Sequence, residues 1–135
     1  MKENHMRKII VLLMFLIVVS VSAKEMLYNV LDYGAKGDGI TNNTKAINAA
    51  VEAAAKNGGG TVYFPAGDYL SYTIRMKSKI TLHLDQGAVL IGDNEVDGVG
   101  YDLPEKDAWY KKFQDFGHGY WKNSLIYGDS LHDIA

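Results

Sequence analysis

The 135-residue chain contains no cysteine. This excludes disulfide stapling, and it excludes lipid attachment at a cysteine exposed by signal cleavage. No strong positive charge is present either. With 14 Lys and Arg against 16 Asp and Glu, the net charge is −2. An acidic chain gains no bulk attraction to nucleic acid or to a polyanion, so a polyanionic partner has to be met by local basic residues. Uninterrupted apolar sequence is confined to Ile9–Val19, which is too short for a membrane span.

That run follows Lys2, Arg7 and Lys8 and precedes the small residues Val21-Ser22-Ala23. The order reads as a secretory signal peptide over residues 1–23, cut after Ala23. The expected location is exported, periplasmic or extracellular, with no membrane attachment after cleavage; an uncleaved N-terminal anchor is the competing reading of the same segment. Removing these residues brings the net charge to about −4 and leaves about 112 residues, enough for one small domain.

Within residues 24–135, Leu27–Val30 is a short β-prone run. Asp32–Asn43, punctuated by Gly34, Gly37 and Gly39, reads as a loop. A capping helix is predicted over about 44–57, opened by Asn42 or Asn43 as N-cap. Its apolar face is Ala46, Ile47, Ala50, Val51 and Ala54, and it stops at Gly58-Gly59-Gly60. Thr61–Phe64, Tyr69–Met76, Ile80–Leu84 and Ala88–Ile91 then read as short strands separated by the polar or Gly-containing turns Pro65–Asp68, Lys77–Lys79 and Asp85–Gly87. In Ile80–Leu84 the apolar residues Ile80, Leu82 and Leu84 share one face and His83 takes the other. A helix followed by strands with tight corners predicts a β-solenoid with a helical lid.

The rhythm breaks at Asp93–Lys122, an aromatic- and charge-rich stretch read as an insertion with a short helix over Pro104–Phe113. Strand sequence resumes at Asn123–Tyr127. Asp32, Asp38 and Asp68 fall in Gly-containing turns and are read as bonding nearby backbone. His83 is read as a surface strand residue, and no metal set forms around it.

Three runs carry a family resemblance. They are Asp32-Tyr33-Gly34-Ala35-Lys36-Gly37-Asp38-Gly39, Thr41-Asn42-Asn43-Thr44, and Gly58 to Gly67, extended by Lys77–Leu84 and Gly87–Leu90. Residues 28–92 resemble the pectin-lyase-like right-handed parallel β-helix superfamily, and are most similar to glycoside hydrolase family 28. The resemblance implies an all-β, right-handed parallel β-helix with one N-terminal capping α-helix. It also implies a pectic polysaccharide (galacturonan or rhamnogalacturonan) as partner and no cofactor. Lyases, epimerase-like proteins and phage tail-spike proteins share this opening, so a β-helix polysaccharide lyase and a non-catalytic carbohydrate-binding or adhesin protein stay open beside the hydrolase.

The family's Asn-Thr-Asp, Asp-Asp and Arg-x-Lys motifs have no counterpart here in a matching context, so no catalytic residue is assigned. Gly117-His118-Gly119 has the letters of the family's Gly-His-Gly but lies in the insertion. Trp109, His118, Tyr120 and Trp121 are the candidate sugar contacts, with packing of the insertion against the solenoid as the competing role. Lys111 and Lys112 read first as a solvated charged face, with contact to a uronate carboxylate as the competing role. The chain is expected to be the N-terminal portion of such an enzyme, an incomplete solenoid that is by itself inactive and poorly soluble.

Overall fold

The structure, a computed structural model, describes residues 26–104 and 122–135. Eight strands are present among them: β1 (Leu27–Asn29), β2 (Asp38–Asn42), β3 (Gly60–Phe64), β4 (Gly67–Ser71), β5 (Ile74–Arg75), β6 (Ile80–Leu84), β7 (Ala88–Gly92) and β8 (Ile126–Tyr127). One helix, α1 (Thr44–Lys56), lies between β2 and β3, and a 3₁₀ turn spans Val30–Tyr33. Every strand pair is parallel. A first sheet runs β1-β3-β6, a second β2-β4-β7 and a third β5-β8. The chain therefore winds through the three sheets in turn and returns to the first: a parallel β-helix.

Register measures the winding. Thr61 pairs with Thr81, a spacing of 20 residues, and Gly67 with Ala88, a spacing of 21. Ile74 pairs with Ile126, a spacing of 52. The excess falls between β7 and β8, where the sequence rhythm breaks. A further coil begins at the C-terminal side. Ala135 N–H donates to the Ile80 carbonyl at 3.3 Å, and Leu82 N–H donates to the Ala135 carbonyl at 2.8 Å, the parallel-ladder pattern opposite Thr81.

Inward side chains stack in rows along the axis. Tyr28, Val62 and Leu82 form one row, Phe64 and Leu84 a second, Tyr69 and Leu90 a third, Ile74 and Ile126 a fourth. Burial falls toward the last coil: Phe64 and Ile74 are fully buried, whereas Leu84 is 41% and Ile126 50% exposed. The apolar interior is closed at the α1 end and open at the other.

Helix α1 closes its end as its pattern predicts, with Ile47, Ala50, Val51 and Ala54 fully buried. An alanine-rich face lets the helix axis approach the coil closely. Polar contacts fix its position: Thr44 Oγ1 accepts the Tyr72 N–H at 2.7 Å, and the Asn48 amide donates to Thr73 O at 2.9 Å. The helix ends in a Schellman motif. Gly58 N–H bonds Ala55 O at 3.1 Å and Gly59 N–H bonds Ala54 O at 2.9 Å, both glycines having positive φ.

Three local expectations are corrected. The segment read as a loop from Asp32 to Asn43 contains the 3₁₀ turn and strand β2. Gly67 and Asp68, assigned to a turn, begin β4, so the corner is Pro65-Ala66 alone. At Gly67 the two backbones nearly touch; a Cβ there would sit 2.9 Å from Gly37 Cα, which only a glycine pair allows. The Asn42–Asn43 capping role is divided. Asn43 occupies the N-cap position, but its side chain turns toward the loop; Asn42 Oδ1 accepts the Thr44 N–H at 3.1 Å instead.

Candidate functional site

Two polar-aromatic clusters stand on the outside of the coils. On the first sheet, Tyr63 and His83 are register partners whose rings stack with centroids 5.7 Å apart and an interplanar angle of 26°. The Tyr63 hydroxyl donates to Asp85 Oδ2. That bond holds the Asp85 carboxyl below its ordinary value, with the Gln86 N–H assisting, and raises the Tyr63 phenol. His83 is thus an exposed strand residue as expected, but it forms part of an aromatic ladder rather than standing alone.

The second cluster lies at the corner between the second and third sheets, where the insertion leaves and returns. Tyr101 meets Tyr72 edge-on at 5.5 Å, and the Tyr72 hydroxyl donates to Asn94 O at 3.0 Å. Burial, with Asp93 and Glu95 nearby, pushes the Tyr72 phenol up. Buried Thr73 ties the two legs together: its Oγ1 accepts the Asp102 N–H at 3.0 Å and donates to Ser124 O at 2.8 Å. Arg75 Nε donates to Asp102 Oδ2 at 2.7 Å, and its second guanidinium nitrogen bonds Oδ1. On the outgoing leg, Asn42 Nδ2 donates to Asp93 Oδ2 at 2.7 Å. The insertion therefore departs from a stem fixed by both backbone and side chains.

The sequence-proposed sugar contacts Trp109, His118, Tyr120 and Trp121 lie outside the described residues, as do Lys111 and Lys112. So does most of the short helix expected over Pro104–Phe113. Among the described residues, no group of three or more His, Asp or Glu is arranged to hold a metal ion. Both Asp carboxyls with a shifted pKa, Asp38 and Asp85, are shifted down, the opposite of what a general acid requires. Sequence reasoning missed Arg75, Tyr72, Tyr101 and Asp102, because partners 27–29 residues apart share no periodic signal.

Of the three turn aspartates, Asp38 shows the expected backbone bonding. Its carboxylate accepts the Thr41 N–H at 2.8 Å, the Ile40 N–H at 3.0 Å and the Thr41 hydroxyl at 2.7 Å. These bonds favour the ionised form and lower its pKa to about 2. The stabilisation is present above the ordinary carboxyl value of about 3.9 and is lost as pH falls through about 2. An NMR titration of the Asp38 carboxyl carbon is expected to show this low midpoint, and Thr41→Val is expected to raise it. An unmoved midpoint in the variant would contradict this account.

Comparison with known proteins places this architecture. Residues 27–99 match the family described as rhamnogalacturonase A/epimerase, pectate lyase-like. An alginate lyase of Azotobacter vinelandii is 66% identical over 44 residues, covering 33% of this chain and 5% of that protein. An exo-poly-alpha-D-galacturonosidase of Dickeya chrysanthemi is 40% identical over 82 residues, covering 60% of this chain and 13% of that protein. Among solved structures, the family 28 exopolygalacturonase of Yersinia enterocolitica superposes with a TM-score of 0.54 at 40% identity, covering 61% of this chain and 14% of that one. The chain thus spans a small part of the length of each relative. With its helix-capped parallel coils and a family match over more than half its length, this chain belongs to the rhamnogalacturonase A/epimerase, pectate-lyase-like family of β-helix proteins, with family 28 polygalacturonases among its relatives.

Proposed function

We propose that this chain forms the lid and first coils of an exported enzyme that hydrolyses galacturonan or rhamnogalacturonan. The observation that carries the reading is the 40% identity to an exo-poly-alpha-D-galacturonosidase over 60% of the chain. In such a reaction one carboxylic acid protonates the leaving glycosidic oxygen. A second carboxylate activates water on the opposite face of the sugar ring. The described residues supply the base on which such a site is built: an interior closed at the α1 end, two returns to the first sheet and a stem from which the insertion departs. Among their carboxylates, Asp38 is engaged in its turn, Asp85 by Tyr63, and Asp102 and Glu52 in ion pairs. Residues 1–23 act, in this reading, as the export signal.

A second reading has its own support, the 66% identity to an alginate lyase over 44 residues. A lyase removes the proton next to the uronate carboxyl and expels the glycosidic oxygen from the adjacent carbon, leaving a double bond, whereas an epimerase returns a proton to the other face and breaks no glycosidic bond. One assay separates the three. Polygalacturonate and alginate are incubated with the longer gene product and with this chain alone. Hydrolysis releases reducing ends without ultraviolet absorbance, elimination produces an absorbing unsaturated end, and epimerisation does neither but changes the NMR spectrum of the polymer. The expected result is hydrolysis of polygalacturonate by the longer product and none by this chain. Reducing ends released by this chain alone would overturn the assignment of its residues to scaffold.

A further inference from the structure

Arg75 and Tyr127 are register partners on the third sheet, on neighbouring strands about 4.8 Å apart. Lys122 Nζ lies 6.0 Å from the centroid of the Tyr127 ring. Lys77, two residues after Arg75, pairs with Glu52 at 3.1 Å. Arg75, Lys77 and Lys122 thus stand on one side of the coil against the carboxylates Asp102 and Glu52. The Arg75 guanidinium is 56% exposed and is held two-pronged by Asp102 from the outgoing leg of the insertion.

The position of Asp102 does not depend on that ion pair. Its N–H is held by Thr73 Oγ1 at 3.0 Å, and its carbonyl accepts from Asn123 Nδ2 at 3.3 Å. The carboxylate can leave by a rotamer change while the backbone stays in place. The pair is two-pronged and Asp102 is only 23% exposed, so it is displaced by a polymer that brings a carboxylate together with further contacts, not by a free carboxylate alone. A guanidinium fork beside an aromatic face is also the chemistry that recognises an acidic sugar. The fork takes both carboxylate oxygens, and the ring covers the C–H face.

We propose that Arg75 and Tyr127 form a surface subsite for one uronate unit of an acidic polysaccharide, and that Asp102 fills it in the unliganded chain as a displaceable internal carboxylate. The proposal rests on the reading that this protein meets uronate polymers. It adds a contact on the first coils, away from any catalytic carboxylates, that would hold the polymer against the side of the solenoid.

The test measures binding to the chain immobilised at low density, which keeps copies apart. Galacturonate, alginate and neutral galactose oligosaccharides of equal length are compared. Asp102→Asn is expected to tighten galacturonate binding about fivefold or more, the upper end for a two-pronged, part-exposed pair. Arg75→Gln is expected to abolish it, Arg75→Lys to keep only part, and the neutral sugar not to bind. In the unsubstituted chain, the Arg75 Nε–H NMR resonance is expected to shift with galacturonate and not with galactose, a readout that needs no variant to fold. Unchanged affinity in Asp102→Asn, parental affinity in Arg75→Gln, or an unmoved Arg75 resonance would overturn the subsite. Arg75-dependent binding of uronate by a protein whose longer form cleaves no galacturonan would leave the subsite standing and overturn the proposed reaction.

Discussion

Phe64→Ala is expected to lower stability by about 3–5 kcal/mol, while Leu84→Ala costs about 1 kcal/mol or less. The two residues occupy the same inward row, one coil apart. Phe64 is fully buried and meets Tyr69 edge-on at 5.5 Å; Leu84 is 41% exposed. Removing a buried ring loses its transfer free energy and leaves a cavity that close-packed neighbours fill poorly. Removing a half-exposed leucine leaves no closed cavity. Urea unfolding followed by circular dichroism measures both. Equal costs would show that the row is not graded from a closed end to an open one. The pair also gauges coil stacking. In a longer product whose next coil covers Leu84, the Leu84→Ala cost is expected to rise to about 2–5 kcal/mol.

The second large effect is expected at Asn43, which is 2% exposed. Its Oδ1 accepts the Lys36 N–H at 2.6 Å, and its Nδ2 donates to Lys36 O at 3.0 Å and Thr41 O at 2.7 Å. One side chain thus satisfies three backbone groups in the loop that leads from the first coil into α1. Asn43→Ala leaves all three without that partner. The Lys36 and Thr41 groups are only part-buried and can regain water, so at about 0.5–1.5 kcal/mol for each lost bond the expected loss is about 1.5–4.5 kcal/mol. Asn43→Asp keeps the acceptor but places a carboxylate oxygen against two carbonyl oxygens. It is expected to be at least as damaging near neutral pH and to recover partly in acid, where the carboxyl regains a donor. Urea midpoints and the amide exchange rate of Lys36 check both variants. A loss under 1 kcal/mol for Asn43→Ala would sink this view of the loop.

The same asparagine shows where sequence reading stopped. Either Asn42 or Asn43 suits an N-cap by residue type, and both are adjacent to the helix. The burial of Asn43 beneath the Lys36 loop decides between them, leaving Asn42 to bond Thr44. Strand β2 was hidden for a related reason. Asp38-Gly39-Ile40-Thr41-Asn42 shows no apolar alternation, and Ile40 points outward. It is a strand because β4 lies beside it, pairing Asp38 with Asp68 and Asn42 with Leu70. The outer clusters were likewise invisible. Tyr63 and His83 meet because one coil is 20 residues long, and Arg75 and Asp102 meet because the insertion folds back over the corner it leaves.

The sequence by itself determined the lid and the winding. The 3.6-residue period of Ile47, Ala50, Val51 and Ala54, the alternation of Ile80, Leu82 and Leu84, and glycines at the helix end are local signals. They act over a few residues and need no partner to be read. The tertiary structure alone decided which of two asparagines caps the helix, that a polar segment is a strand, and that Arg75 sits on the outside holding a carboxylate. Those outcomes depend on what one coil places against the next, and stacking joins residues 20 to 52 positions apart.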